Sequence, residues 1–179
     1  MPSGKTHDAV TFLLAPPTFL LIWRFADNSH LAALATAAFL FGGFMFGPDL
    51  DTQSVQYTRW GWLRFLWFPY KVAFAHRSRW SHGLIFGTFI RVVYFVGVLT
   101  LCGVAAFYLA AWLRHASAAP PNFAQIQETW ENFGTWARAN IGDYAIFAAL
   151  GGLWWGAASH TVTDIIGTFL KTGKVKEFL

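Results

Sequence analysis

VVYFVGVLTLCGVAAFYLAAWL, residues 92–113, runs for 22 positions without a charged side chain. A helix that crosses a bilayer needs roughly 20 mostly apolar residues, so this stretch meets the requirement alone. Uncharged runs also cover residues 9–23, 31–48 and 144–159, of 15, 18 and 16 residues. The second nearly spans by itself, and the other two do so once their polar flanks count as interfacial. Composition points the same way. Hydrophobic residues make up 55% of the chain and charged residues 12%, against about 25% charged in a soluble domain. The sequence therefore reads as an all-α integral membrane bundle of about four transmembrane helices. It is expected to form a single membrane-embedded domain over residues 1–179, with an interfacial helix in each long loop.

Helices are expected over about 9–25, 31–47, 83–113 and 144–165. The first follows a polar leader, Met-Pro-Ser-Gly-Lys-Thr-His-Asp, that contains an acid and a histidine and leads to no small-residue cleavage site before Arg24. It reads as a retained helix rather than a signal peptide. Pro16 and Pro17 predict a kink in it, of a kind neighbouring helices tolerate. Gly42 and Gly43 allow close helix approach in lipid, and Pro48 stops the second helix.

In the loop 49–82, residues 60–75 interleave aromatics with Arg64 and Lys71, which suits the headgroup layer. Pro69 would break a longer helix there. In the loop 114–143, Trp130, Phe133 and Trp136 recur at helical spacing within Phe123–Ala139, as in a helix lying on the membrane surface. Arg91, about two turns into the third helix, either snorkels to the near interface or points inward.

Four spans leave nine basic residues with the termini and the 49–82 loop: Lys5, Arg59, Arg64, Lys71, Arg77, Arg79, Lys171, Lys174 and Lys176. Three, Arg24, Arg114 and Arg138, lie opposite. The excess predicts both termini in the cytoplasm, in a bacterial cytoplasmic or thylakoid membrane. The single cysteine, Cys102, lies in the third apolar run and excludes an internal disulfide. A net charge of +4 fits orientation and lipid contact rather than nucleic-acid binding.

Metal-binding side chains gather in four places: His7 before the first helix, Asp49 and Asp51 after the second, His76 and His82 before the third, and His160 and Asp164 at the end of the fourth. Four antiparallel spans would bring all four groups to one face, with His30 and His115 on the other. His160 and Asp164 are i,i+4 and share a helix face. Asp49 and Asp51 straddle Leu50, and in an extended turn both would point the same way. His76 and His82 need a turn between them, which Ser78–Ser81 can supply. Singly, these residues read as solvated, capping or headgroup-contacting groups, but their shared face favours a metal site.

Imidazole with carboxylate suits zinc, manganese or iron better than calcium. Seven donors exceed the four of one zinc, leaving either two metals or one metal with an outer shell of residues. Zinc or manganese is expected first, then iron or magnesium. Arg77 and Arg79 either hold a phosphate, which guanidinium binds as a fork, or supply positive-inside charge.

At these residues the chain resembles a family of metal-binding membrane proteins common in cyanobacteria, a domain of unknown function. The resemblance rests on residues 1–8 (MPSGKTHD), 47–52 (GPDLDT), 76–83 (HRSRWSHG) and 160–164 (HTVTD). That family is similar in turn to the bacterial membrane-bound metal-dependent hydrolases, in which a Gly stands at the position of Ser78 and the second His comes one residue sooner than His82. The resemblance implies a helical membrane protein with a metal held by His7, Asp49, Asp51, His76, His82, His160 and Asp164.

The first functional expectation is a metal-dependent hydrolase. Metal-activated water would attack a phosphoester or ester of a lipid-like substrate at the cytoplasmic face. His7 would act as ligand or proton donor, and Arg77 and Arg79 would steady a phosphate. The alternative is a non-enzymatic scaffold or assembly factor with a structural metal. An open coordination position separates the two, since structural sites are closed. Metal transport fits less well, because apart from Arg91 the spans carry no charge between their ends. Membrane lipid is the expected partner.

Overall fold

A computed structural model describes residues 3–74, 83, 85–114 and 121–173, and all regular structure among them is helical. Helix α1 spans Gly4–Ala26 and α2 spans Ser29–Phe44. A 3₁₀ turn at Pro48–Asp51, α3 at Val55–Arg59, a second 3₁₀ segment at Gly61–Trp67 and α4 at Phe68–Ala73 follow. Three long helices follow among the described residues: α5 at Phe86–Leu113, α6 at Phe123–Ile141 and α7 at Ala145–Thr172. Two of them, α1 and α5, are long and apolar enough to cross a membrane, and α2 is a shorter apolar helix.

The ends of the helices differ from the sequence expectation in ways that matter for the site. α1 starts at Gly4 rather than near residue 9, because Ser3 caps it by accepting from the Thr6 amide. His7 thus stands inside a helix and not in a tail. α7 runs to Thr172 rather than about 165, so His160 and Asp164 lie within it. Pro16 and Pro17 sit inside α1 without ending it, and Thr18 returns its hydroxyl to the Leu14 carbonyl at 2.7 Å. The amphipathic helix expected at 123–139 is α6. An Asn122–Gln125 capping box opens it, its Trp130, Phe133 and Trp136 are exposed, and its Gly134 and Ala137 are buried.

The central contact is α2 on α7, with α1 laid against both. Small residues make it possible. A Cβ added at Gly152 would stand 2.2 Å from the Ala35 carbonyl oxygen, and one at Gly156 would stand 2.2 Å from the Phe39 carbonyl oxygen. Rising from Gly152 to Gly156 on α7 matches rising from Ala35 to Phe39 on α2, so the two helices run parallel. Close backbone approach through glycines four apart is how helices associate where lipid supplies no hydrophobic drive. Gly156→Ala should therefore force the helices apart and lower stability by about 1–3 kcal/mol or more. Gly151→Ala, where the new methyl meets nothing within 4 Å, should leave the melting temperature unchanged. Equal melting temperatures for both variants would refute the close-packed seam.

The aromatic stretch at 60–75 divides between two environments. Trp60, Trp67 and Tyr70 are buried with Phe46, Leu50 and Tyr57 against Phe95 and Tyr94 of α5, and the Trp67 and Phe95 rings stack at 5.9 Å. Trp62, Phe65, Phe68 and Val72 face outward. The segment thus anchors α5 to the turn after α2 while presenting an apolar surface.

Candidate metal centre

Two helices and one turn bring donors to one point. His7 lies one turn into α1. Asp49 lies in the 3₁₀ turn after α2. His160 and Asp164 lie one turn apart on the buried face of α7, among Gly156, Ala157, Ser159 and Thr161. The His7 Nε2 stands 3.2 Å from Asp164 Oδ1. The His160 Nε2 stands 3.3 Å from Asp49 Oδ2 and 3.7 Å from Asp164 Oδ2. The two imidazoles stack at 3.8 Å between centroids, tilted by only 11°. Donor atoms of His7, His160 and Asp164 all fall within 4.8 Å of one another, and all three residues are buried.

These residues fit a divalent ion. Arms of about 2.1 Å in a tetrahedron set donors about 3.4 Å apart, close to the separations seen. Among the described residues the buried His160 Nε2 makes no hydrogen bond although two carboxylates face it, and a buried polar atom left so is costly unless something else satisfies it. Two neutral imidazoles with two carboxylates would also balance the charge of one divalent cation.

Gln56, absent from the sequence reading, supports this group. Its amide nitrogen donates to the Gly43 carbonyl at 2.7 Å and lies 3.4 Å from His160 Nδ1. It fills the space beside Gly47, where a Cβ would stand 2.3 Å from the amide. A histidine that binds metal through Nε2 carries its proton on Nδ1, so Gln56 orients the ring by turning its carboxamide to offer Oε1 to that proton, and groups that orient a ligand histidine in this way typically shift metal affinity 10–100-fold. Gln56→Leu should weaken metal binding by about that factor, read by competition with a chelator, while the protein stays folded. Unchanged affinity would mean that Gln56 only fills space.

Among the described residues, Asp51 is not seen at the point where His7, Asp49, His160 and Asp164 meet. The 3₁₀ conformation turns about 120° per residue, so Asp49 and Asp51 diverge rather than pointing the same way as in an extended turn. Asp51 is buried, and the charge of Arg91 acts on it and on Asp49. Arg91 itself points inward and is 2% exposed, donating to Thr88 at 3.1 Å. The Tyr70 hydroxyl stands beside this guanidinium. Burial pushes the Tyr70 phenol above its ordinary range, and Arg91 pulls against that. His76, Arg77, Arg79 and His82 lie outside the described residues. His30 opens α2 at the far end and is exposed.

Beside the donors lies a cavity of about 220 Å³, bounded by His7, Asp49, His160 and Asp164 on one side and by Ser54, Gln56 and Arg59 on the other. Arg59 was not singled out by sequence reasoning, which counted it only as positive-inside charge.

The family described as uncharacterized metal-binding protein (DUF2227) matches residues 2–174. The chain belongs to this family. Membership and geometry agree on metal binding, and the convergence of His7, His160 and Asp164 gives the family description a location. An uncharacterized protein of Aquifex aeolicus (strain VF5) is 40% identical over 57 residues, covering 31% of this chain and 40% of that relative. The match thus spans well under two thirds of the relative's length. No solved structure matches the chain.

Proposed function

We propose that this DUF2227 protein is a membrane-bound metal-dependent hydrolase. It would cleave a phosphoester or ester bond of a lipid-like substrate at the cytoplasmic face. The observation that carries the reading is the cavity of about 220 Å³ opening directly onto the donors. Structural metal sites are closed, whereas catalytic ones keep a place for water. His7, Asp49, His160 and Asp164 would hold the ion, zinc or manganese first. When bound, such an ion lowers the pKa of water enough to make a nucleophile near neutral pH. The chain itself contributes a packed mount, since His160 and Asp164 come from one buried helix face, and Gln56 packs beside the His160 ring. Arg77 and Arg79 would steady a phosphate, and the resemblance of the sequence motifs to those of membrane-bound hydrolases would favour the enzymatic reading.

A four-span membrane bundle is part of this proposal. It is supported by α1 and α5, which have the required length and apolarity, and by large hydrophobics such as Phe12, Leu13, Leu101 and Phe147 that stand about 70% exposed. Contiguous outward apolar surface of this kind needs a lipid or protein partner. The parallel α2 and α7 also agree with an up-down-up-down path, which puts both termini on one side.

The alternative is a scaffold whose metal pins α1, the turn after α2, and α7 together. The burial of His7, His160 and Asp164 favours it. Chelation separates the two. A catalytic ion should come out with hydrolysis lost and a modest change in melting temperature, whereas a structural one should leave with the fold. Fully metal-loaded protein that cleaved neither soluble phosphoesters and esters nor phospholipids would refute the hydrolase reading.

A further inference from the structure

Arg59 forms a guanidinium fork at the cavity that holds the metal donors. Its Nη1 and Nη2 grip the two oxygens of Asp8 at 2.9 and 2.5 Å. The Nη1 also donates to the Phe44 carbonyl at 3.0 Å, and the guanidinium lies 5.5 Å from the Phe44 ring centroid. The Phe44 contacts do not involve Asp8, so they would hold the fork in place with Asp8 gone. Asp8 follows the donor His7, and Arg59 lies on the same short helix as Gln56, which orients His160. Both members of the ion pair are about one-third exposed, so water screens their attraction and an incoming anion can reach the guanidinium.

We infer that Arg59 is the anion-holding group of this site, and that a phosphate monoester displaces Asp8 from it. The inference rests on the metal-site reading and names the substrate class for it. Arginine presents paired donors that match two oxygens of carboxylate and phosphate alike, so the Asp8 carboxylate marks where two phosphate oxygens would sit. A dianionic phosphoryl group outbids a single carboxylate in charge and brings a further oxygen to face the metal donors. The cavity is smaller than the 300–1,000 Å³ usual for whole ligands. It therefore admits the phosphoryl group and leaves the rest of the substrate outside. The Ser54 and Thr52 hydroxyls also line it, but both donate to the Asp49 carbonyl, at 2.8 and 3.2 Å. They fix the turn and leave the anion to Arg59.

The test uses full-length, metal-loaded protein in detergent with inorganic phosphate as probe, measuring affinity by calorimetry and metal content by elemental analysis. Arg59→Gln should weaken phosphate binding at least tenfold with metal content unchanged. Asp8→Asn should strengthen it several-fold, because the competing carboxylate is gone. If the pair is only a clasp between α1 and α3, both variants will lower the melting temperature and leave phosphate affinity where it was, which overturns the inference while the metal reading stands. Wild type without metal would defeat the metal reading, and an Arg59-dependent phosphate affinity in that protein would still uphold the fork. Lipid nanodiscs locate the source of the phosphate. Competition by phosphatidic acid but not phosphatidylcholine assigns a lipid headgroup, whereas no competition by either assigns a soluble phosphate monoester.

Discussion

Asp164→Asn and His160→Ala should each strip the protein of its metal, to below about a tenth of the wild-type content, since losing a ligand costs at least as much as losing a group that merely orients one. The two variants fail for different reasons. Asn keeps the size of Asp164 but lacks its charge, and Asp164 faces both imidazoles, at 3.2 and 3.7 Å. His160→Ala removes the ring that stacks on His7 and touches Gln56, so it also opens a void in the packed face of α7. Melting temperature should accordingly fall further in His160→Ala than in Asp164→Asn, although both lose metal. His30→Ala, at the exposed far end of α2, should retain the wild-type metal. If Asp164→Asn held its metal in full, the cluster would be a hydrogen-bonded core and the proposed centre would fail.

The residues that converge were legible in the sequence to the extent that their chemistry depends on residue type and helix period. His160 and Asp164 share a face because they are one turn apart, and α7 confirms that spacing. His7 was legible as a donor but misplaced in a tail, because a hydropathy reading starts the helix where polarity ends, whereas Ser3 starts it by capping. Asp49 and Asp51 looked equivalent because an extended turn and a 3₁₀ turn are not told apart by Pro-Asp-Leu-Asp. Only the 3₁₀ twist sends Asp49 toward His160 and turns Asp51 to a different side. The α2–α7 seam had a signal that went unused, the Gly152 and Gly156 pair four residues apart, which matches Gly42 and Gly43 across the interface. Gln56 and Arg59 had none. Their roles depend on the chain doubling back after Pro48 to lay α3 over the start of α1, a tertiary fact that no local pattern encodes.

Arg91→Met should be the most destabilising single change outside the glycine seam, because it removes a buried charge that acts on Tyr70, Asp51 and Asp49 together. Breaking a buried charge pair from one side typically costs about 3–5 kcal/mol, whereas replacing both partners with uncharged groups is often close to neutral. Arg91→Met combined with Asp51→Asn should therefore recover more than half of the lost stability, measured as unfolding in detergent by a denaturing surfactant. Stability is only part of the expected effect. Arg91 lies on α5, and its charge acts on both Asp51 and Asp49 of the 3₁₀ turn. That attraction is expected to favour the turn geometry that sets Asp49 against His160. The single variant should thus bind metal about 10–100-fold more weakly, and the double variant should regain stability without regaining that affinity. If metal affinity returned together with stability, the turn would be set by packing of Phe46, Leu50 and Trp67 alone. If Arg91→Met were as stable as wild type, the inward guanidinium would carry no charge that the fold needs.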